Sequence, residues 1–270
     1  MARNSKDIDF LQTYLSYGID ILHRRIYLGY LEGSEENDIG FETITLAIRA
    51  IDKMLDFSNK PIEIHACSYG GDPYQSLALV DKILESPCQF KFYGRGAIMS
   101  AATVLMAVCD ERFLSKNSIV MLHDGADGFE GKHTDLQIYA KEAERLQDVY
   151  NQIYADNSKL KIDFWENIIR RDLYLTADET VELGLADSIV RIVGRSRFRA
   201  SKRQQTFKSP NVNKIKRLIK KLNERVHLPK NLKIDLHAPL EKEEDIEQYD
   251  NTETEIKNII QEPKNPNETK

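Results

Sequence analysis

Ser100 is the residue on which a chemical reading of this chain turns. It lies in Gly94-Arg-Gly-Ala-Ile-Met-Ser-Ala-Ala-Thr-Val-Leu-Met-Ala-Val-Cys-Asp110, where two glycines precede one hydroxyl and uncharged residues follow as far as Asp110. That pattern predicts a turn that presents a side chain and then feeds a buried helix, whose first N–H groups lack intrahelical partners. A serine displayed this way is a candidate nucleophile; the plain alternative is a serine N-cap on a core helix. Three other places carry chemistry. His123 ends the strand-like run Ile119-Val-Met-Leu, and Asp172 precedes Leu-Tyr-Leu-Thr176. Gly70 and Gly71 lie in Ser68-Tyr-Gly-Gly-Asp-Pro73, a turn rich in residues that permit unusual backbone angles. Read singly, each has an ordinary structural explanation: a satisfied histidine, a salt-bridging carboxylate, a tight turn.

Strands and helices must position these residues. Apolar residues at helical spacing over 37–57 (Ile39, Phe41, Ile44, Leu46, Ile48, Ile51, Leu55) predict a helix packed on a sheet. Strands are predicted over 25–28, 61–67, 89–93 and 119–123, with helices over 74–86 and 133–157 and another starting at Phe164. The charged stretch 110–118 reads as a surface connection, and 171–180 as a loop entering a helix with Thr176 as N-cap and Glu179 as its capping-box partner. A turn and strand over 183–190 close the domain, and 10–17 is a short helix or arm. The alternation points to α/β layers.

At 270 residues, 41% hydrophobic and 30% charged with net charge −5, the chain has the composition of a soluble protein with room for a full core. It has no run of 18 apolar residues, so no membrane association is expected, and its first residues lack the apolar segment of a secretory signal. Cys67, Cys88 and Cys109, odd in number and without zinc-type spacing, argue for a reducing compartment. We divide the chain into an N-terminal arm (1–18), an α/β domain (19–194) and a tail (195–270) that is basic, then acidic, and partly disordered. Residues 191–221 hold a dozen Lys and Arg and no acid. With Phe198 and Phe207 as their only aromatics, they read as a solvated helix or arm folding back on the acidic stretch 235–255, or as a partner-binding tail, rather than as a nucleic-acid surface.

Taken in order, Ser68-Tyr-Gly-Gly71, Gly96-Ala-Ile-Met-Ser-Ala-Ala102, Ile119-Val-Met-Leu-His123 and Arg171-Asp-Leu-Tyr-Leu-Thr-Ala, followed by Leu183-Gly-Leu-Ala-Asp187, resemble the proteolytic subunit of the Clp protease. This is a serine-protease family on the ClpP/crotonase-like fold, and Ser-Ala-Ala is closest to its phage and prophage members. The resemblance covers about two-thirds of the chain. It implies a layered sheet-and-helix domain with a protruding handle helix over roughly 133–157. It assigns Ser100 as nucleophile, His123 as general base and Asp172 as the group orienting the imidazole. Gly71 and Ala101 would supply oxyanion N–H groups, with Gly70 beside them for close substrate approach. It further implies an ATP-dependent endopeptidase acting on peptides or unfolded proteins inside homo-oligomeric heptameric rings, stacked in pairs. No cofactor or metal is expected, and the location is cytoplasmic, the host cytoplasm for a phage protein.

Several departures keep alternatives open. Ser100 and His123 are 23 residues apart, a shorter connection than in housekeeping members, and an ungapped alignment back from His123 puts Ile98 at the attacking position. The 30 residues from Gly70 to Ser100 fit the family, which favours Ser100. The family's proline before the glycine pair is Tyr69, and aromatic positions of the docking pocket for AAA+ unfoldase loops are Glu63 and His65. A catalytically inactive ring subunit and a crotonase-like acyl-CoA enzyme are therefore kept beside the protease.

Overall fold

Strand β4 (Phe90–Met99) organises the architecture, because one of its edges changes partner halfway along. The computed structural model describes residues 17–29, 39–125, 128, 130–190 and 212–225. The expected arm, apart from Tyr17 and Gly18, and the acidic part of the tail lie outside the described residues. Strands β1 (Ile19–Asp20), β2 (Arg25–Leu28) and β3 (Ile62–Ser68) precede β4, and β5 (Glu111–Leu114), β6 (Ile119–Leu122), β7 (Leu173–Thr176) and β8 (Ser188–Ile189) follow it. The sheet runs β1-β2-β3-β4-β5-β8, parallel except for β1, and β6 joins β4 and carries β7 antiparallel beside it.

The partner exchange is a local consequence of sequence. Lys91 to Gly94 pair with β5, and Ala97 to Met99 with β6. Gly96 stands between the two ladders at φ +66, a left-handed conformation that favours glycine. The glycines at 94 and 96, which predict a strand end after Tyr93, instead let one strand continue to Met99. The connection predicted over 110–118 likewise contains β5. Its charges are cross-strand and inter-element partners rather than solvated loop residues: Lys91 pairs with Glu111 at 2.7 Å and Arg112 with Asp187 at 2.8 Å. β7 replaces the loop predicted at 173–176, with Leu173 and Leu175 buried and Tyr174 and Thr176 exposed in strand alternation.

Helix α1 (Phe41–Phe57) buries Ile44, Ala47, Ala50, Ile51 and Met54 at helical spacing. It starts later than the periodicity suggests because Ile39 bridges to Gly71 instead. Helix α2 (Pro73–Glu85) is started by Asp72, whose carboxylate accepts from the N–H groups of Tyr74 and Gln75, with proline in the first turn. Helix α3 (Ala101–Ala107) is buried throughout, which is why it carries no charge. Helix α4 (His133–Asp156) protrudes: its buried residues are Tyr150, Asn151, Tyr154 and Ala155, all near its C-terminal end. Helix α5 (Ile162–Ile168) follows, then α6 (Ala177–Leu183), which opens with the predicted Thr176–Glu179 capping box and ends on left-handed Gly184.

The basic tail contributes α7 (Val212–Arg225), which buries Leu218 and Leu222. Its cations answer acids on α6: Arg225 and Lys221 reach Glu179 at 2.8 and 3.2 Å, and Lys214 pairs with Glu182. Burial opposes ionisation of Glu179, yet its bonds from Arg225, Thr176 and Lys221 prevail and hold its carboxyl at about 2, below the usual 4.5. A depressed carboxyl stabilises the fold above its unfolded value, and that contribution disappears as pH falls from about 4.5 towards 2. Glu179→Ala is expected to cost about 2 kcal/mol at neutral pH, through the lost cap and the stranded cations. Urea unfolding at pH 7 and pH 3 checks this: the difference from wild type shrinks at the lower pH.

Candidate active site

The sheet register brings the candidate residues together. β4 and β6 run parallel with Met99 opposite Met121, so Ser100 and His123 leave the same end of adjacent strands. β3 is parallel to β4 with Ser68 opposite Ile98, which carries the glycine turn to Ser100 from the other side. β7 is antiparallel to β6 with Leu122 opposite Leu173, so Asp172 lies across from His123. Four segments distant in sequence thus converge on one sheet end.

Ser100 has φ 51 and ψ −128, one of two described non-glycine residues at positive φ. Its N–H donates to the Met121 carbonyl at 2.8 Å, and its carbonyl accepts from the Thr103 N–H at 2.9 Å. Such a conformation costs about 1–3 kcal/mol and persists only where the surroundings over-determine it. It turns the hydroxyl out of the sheet towards His123, whose Nε2 is 2.8 Å from Ser100 Oγ. Ile98, the other residue considered for the attacking position, is fully buried. Asp172 approaches less closely: its Oδ1 is 3.7 Å from His123 Nδ1, beyond hydrogen-bond reach, and its side chain is 59% exposed.

Gly70 and Gly71 have φ +107 and +147. Gly70 packs so close that an added Cβ would lie 2.7 Å from Ser100 Cβ. Its N–H donates to Ser68 Oγ at 3.1 Å and its carbonyl accepts from Ile39 at 3.1 Å, while the Asp72 N–H closes the turn on Ile39 at 2.7 Å. Among the described residues, no backbone carbonyl accepts the N–H of Gly71 or of Ala101. Acyl transfer requires two such donors beside a hydroxyl and an imidazole. From sequence Ser68 is legible only as part of the glycine-turn motif, and Ile39 fits the helical period of the segment after it, with nothing local to show that it pairs with a loop. No three His, Cys, Asp or Glu side chains among the described residues converge as metal ligands.

The family model described as Clp protease matches residues 43–193. The chain belongs to the Clp protease family. Its mixed parallel and antiparallel sheet with surrounding helices is the fold of that family, whose members are serine peptidases and generally form oligomeric rings. As a Clp protease family member, the chain carries the matched region through β8 and adds α7 beyond it. No described helix is long and apolar enough to cross a membrane.

Glu63 and His65, the departures noted at the docking-pocket positions, are both on β3, with His65 inside a ladder of rings across four strands. Tyr27, His65, Tyr93 and Phe113 are paired in register and stack at centroid distances of 4.8, 4.9 and 5.0 Å. Arg95 approaches His65 Nδ1 at 3.0 Å and can only donate, so Nε2 carries the proton and donates to Glu63 at 3.0 Å. Burial pushes the His65 pKa below its ordinary value, in keeping with a neutral ring between two aromatic neighbours.

Proposed function

We propose that this Clp protease family member is an endopeptidase that cleaves peptides or unfolded chains through Ser100, His123 and Asp172. The observation that carries the reading is the 2.8 Å contact between Ser100 Oγ and His123 Nε2 on a backbone strained to expose that hydroxyl. Ser100 Oγ bonds to the scissile carbonyl carbon as its proton passes to His123 Nε2, and the carbonyl π electrons move onto oxygen. The N–H groups of Gly71 and Ala101 hold that oxyanion, each contributing about 3 kcal/mol. Collapse breaks the C–N bond, the departing amine takes the proton from His123, and water repeats the sequence on the acyl ester. Asp172, 3.7 Å from His123 Nδ1, would fix the imidazole tautomer and stabilise its charged form on closing to hydrogen-bond distance. The working unit is a homo-oligomer of heptameric rings stacked in pairs, which a nucleotide-driven AAA+ unfoldase would feed. The ladder containing His65 is the surface on which such docking would have to occur.

A non-catalytic ring subunit is the second reading, favoured by the 3.7 Å gap between Asp172 and His123. A fluorophosphonate probe separates the two. Wild type is expected to take up one adduct per chain, and Ser100→Ala none, with the native mass of the assembly unchanged. An unlabelled wild type supports the inert subunit, and labelling that survives Ser100→Ala removes Ser100 as nucleophile.

A further inference from the structure

Helix α3 contains one hydroxyl in an otherwise apolar run, Thr103, and it is completely buried. Its Oγ1 lies 2.6 Å from the Ser100 carbonyl oxygen and 2.7 Å from the phenol oxygen of Tyr154, which α4 brings in and which is itself 1% exposed. A carbonyl only accepts, so the threonine proton goes to Ser100, and the phenol must donate to Thr103. The chain of donation therefore has one direction: Tyr154 O–H to Thr103 Oγ1, Thr103 O–H to Ser100 C=O. Burial raises the Tyr154 pKa far above the ordinary phenol value, so the phenol keeps its proton across any working pH.

The Ser100 carbonyl belongs to the same rigid trans peptide as the Ala101 N–H, and the two point in opposite directions. Pinning the oxygen therefore aims the N–H. The Thr103 backbone N–H already holds that oxygen at 2.9 Å, and the hydroxyl adds a second, shorter bond from another direction. One bond leaves the peptide plane free to rock about it; two fix its tilt. We infer that Tyr154 and Thr103 are positioning residues for the oxyanion site, acting through the Ser100–Ala101 peptide to hold the Ala101 N–H on the developing negative charge. The inference rests on the hydrolase reading above, since it gives the relay work to do only if an oxyanion forms beside Ala101. Tyr150, one turn earlier on α4, makes a similar anchor on the other side of the site: its hydroxyl meets Ser76 Oγ at 2.5 Å, and Ser76 donates to Pro73 O at 2.8 Å, just after the glycine turn. The protruding helix thus fastens both halves of the site through phenol hydroxyls.

The relay predicts an effect on the transition state that leaves ground-state binding alone. Thr103→Val removes the hydroxyl at nearly constant volume and is expected to lower kcat about tenfold, with KM within about twofold of wild type. A peptide boronate, whose tetrahedral adduct puts an oxygen where the oxyanion sits, is expected to lose about the same tenfold in affinity. Thr103→Ser keeps the donor and is expected to stay within about twofold of wild type. Tyr154→Phe, which deletes a single oxygen, is expected to lower kcat about threefold by weakening the bond downstream of it. All rates are normalised to sites titrated with the fluorophosphonate. If Thr103→Val does not fold, the Tyr154→Phe and Thr103→Ser pair carries the test. A labelled wild type whose Thr103→Val and Tyr154→Phe variants keep full kcat and full boronate affinity overturns the relay and leaves the hydrolase reading intact. So does a Thr103→Ser variant as impaired as Thr103→Val. A wild type that takes up no probe overturns the hydrolase reading first.

Discussion

Replacing His123 by alanine is expected to reduce kcat for a fluorogenic peptide by at least about 10⁴-fold, with little change in KM. A serine hydroxyl at neutral pH holds its proton too tightly to attack an amide unaided, and on the proposed mechanism His123 Nε2, 2.8 Å away, takes that proton. Nothing else in the described site offers a comparable acceptor: Asp172 reaches the imidazole's far side rather than Ser100, and its carboxylate is largely exposed. The fold should not suffer much, because His123 follows the end of β6 and its side chain is 17% exposed rather than core. Far-UV circular dichroism and native mass are therefore expected to match wild type while turnover vanishes. Retention of more than about a hundredth of the wild-type rate would mean that another base serves Ser100, and the assignment of the pair would fail.

How much of this was legible in the sequence depends on whether the signal was local. The glycine turn at 70–71, Ser100 before an uncharged helix and the capping box of α6 are each written in a few adjacent residues, and the structure has each where the pattern puts it. Asp110 to Ser118 is the opposite case. Glu111 and Arg112 look like loop residues because a sequence window cannot see Lys91 and Asp187, the partners that let charged residues sit in a strand. Gly94 and Gly96 mislead for a related reason. Glycine usually ends a strand, but here Gly94 gives room to the side chains of Leu114 and Ile98, which an added Cβ would meet at 2.6 and 3.0 Å, and β4 runs on through it. Thr103 and Tyr154 carry no local mark of a joint role: Tyr154 reads only as one more apolar position of its helix. They are 51 residues apart, and each blends into its helix until the two hydroxyls are seen to meet. The tail behaved similarly: a run of cations reads as solvated, and only the fold reveals that α7 buries Leu218 and Leu222 against an acidic helix.

The second large effect belongs to a residue with no side chain. Gly70→Ala is expected to lower kcat by more than about 10²-fold while the protein remains folded and assembled. The added Cβ would stand 2.7 Å from Ser100 Cβ, 2.9 Å from Met99 O and 3.1 Å from Ala101 N, so it crowds Ser100, the strand before it and the Ala101 amide together. Backbone and a Cβ are not flexible side-chain ends that can swing aside, and alanine at φ +107 is strained whatever the space. The turn must therefore retreat from Ser100 or push it. Either movement also disturbs Gly71, which bridges to Ile39 just before α1. A shift of about 1 Å in a reacting group is enough for a hundredfold loss. Gly128→Ala is the control, because among the described residues a methyl there meets nothing within 4 Å, and it is expected to retain wild-type turnover. The comparison is made on kcat with KM recorded alongside, together with the rate of fluorophosphonate labelling, which falls with kcat if Ser100 has been displaced. Full activity in Gly70→Ala would show that the glycine turn stands clear of the reacting hydroxyl during turnover, and the oxyanion role given to its neighbour would go with it.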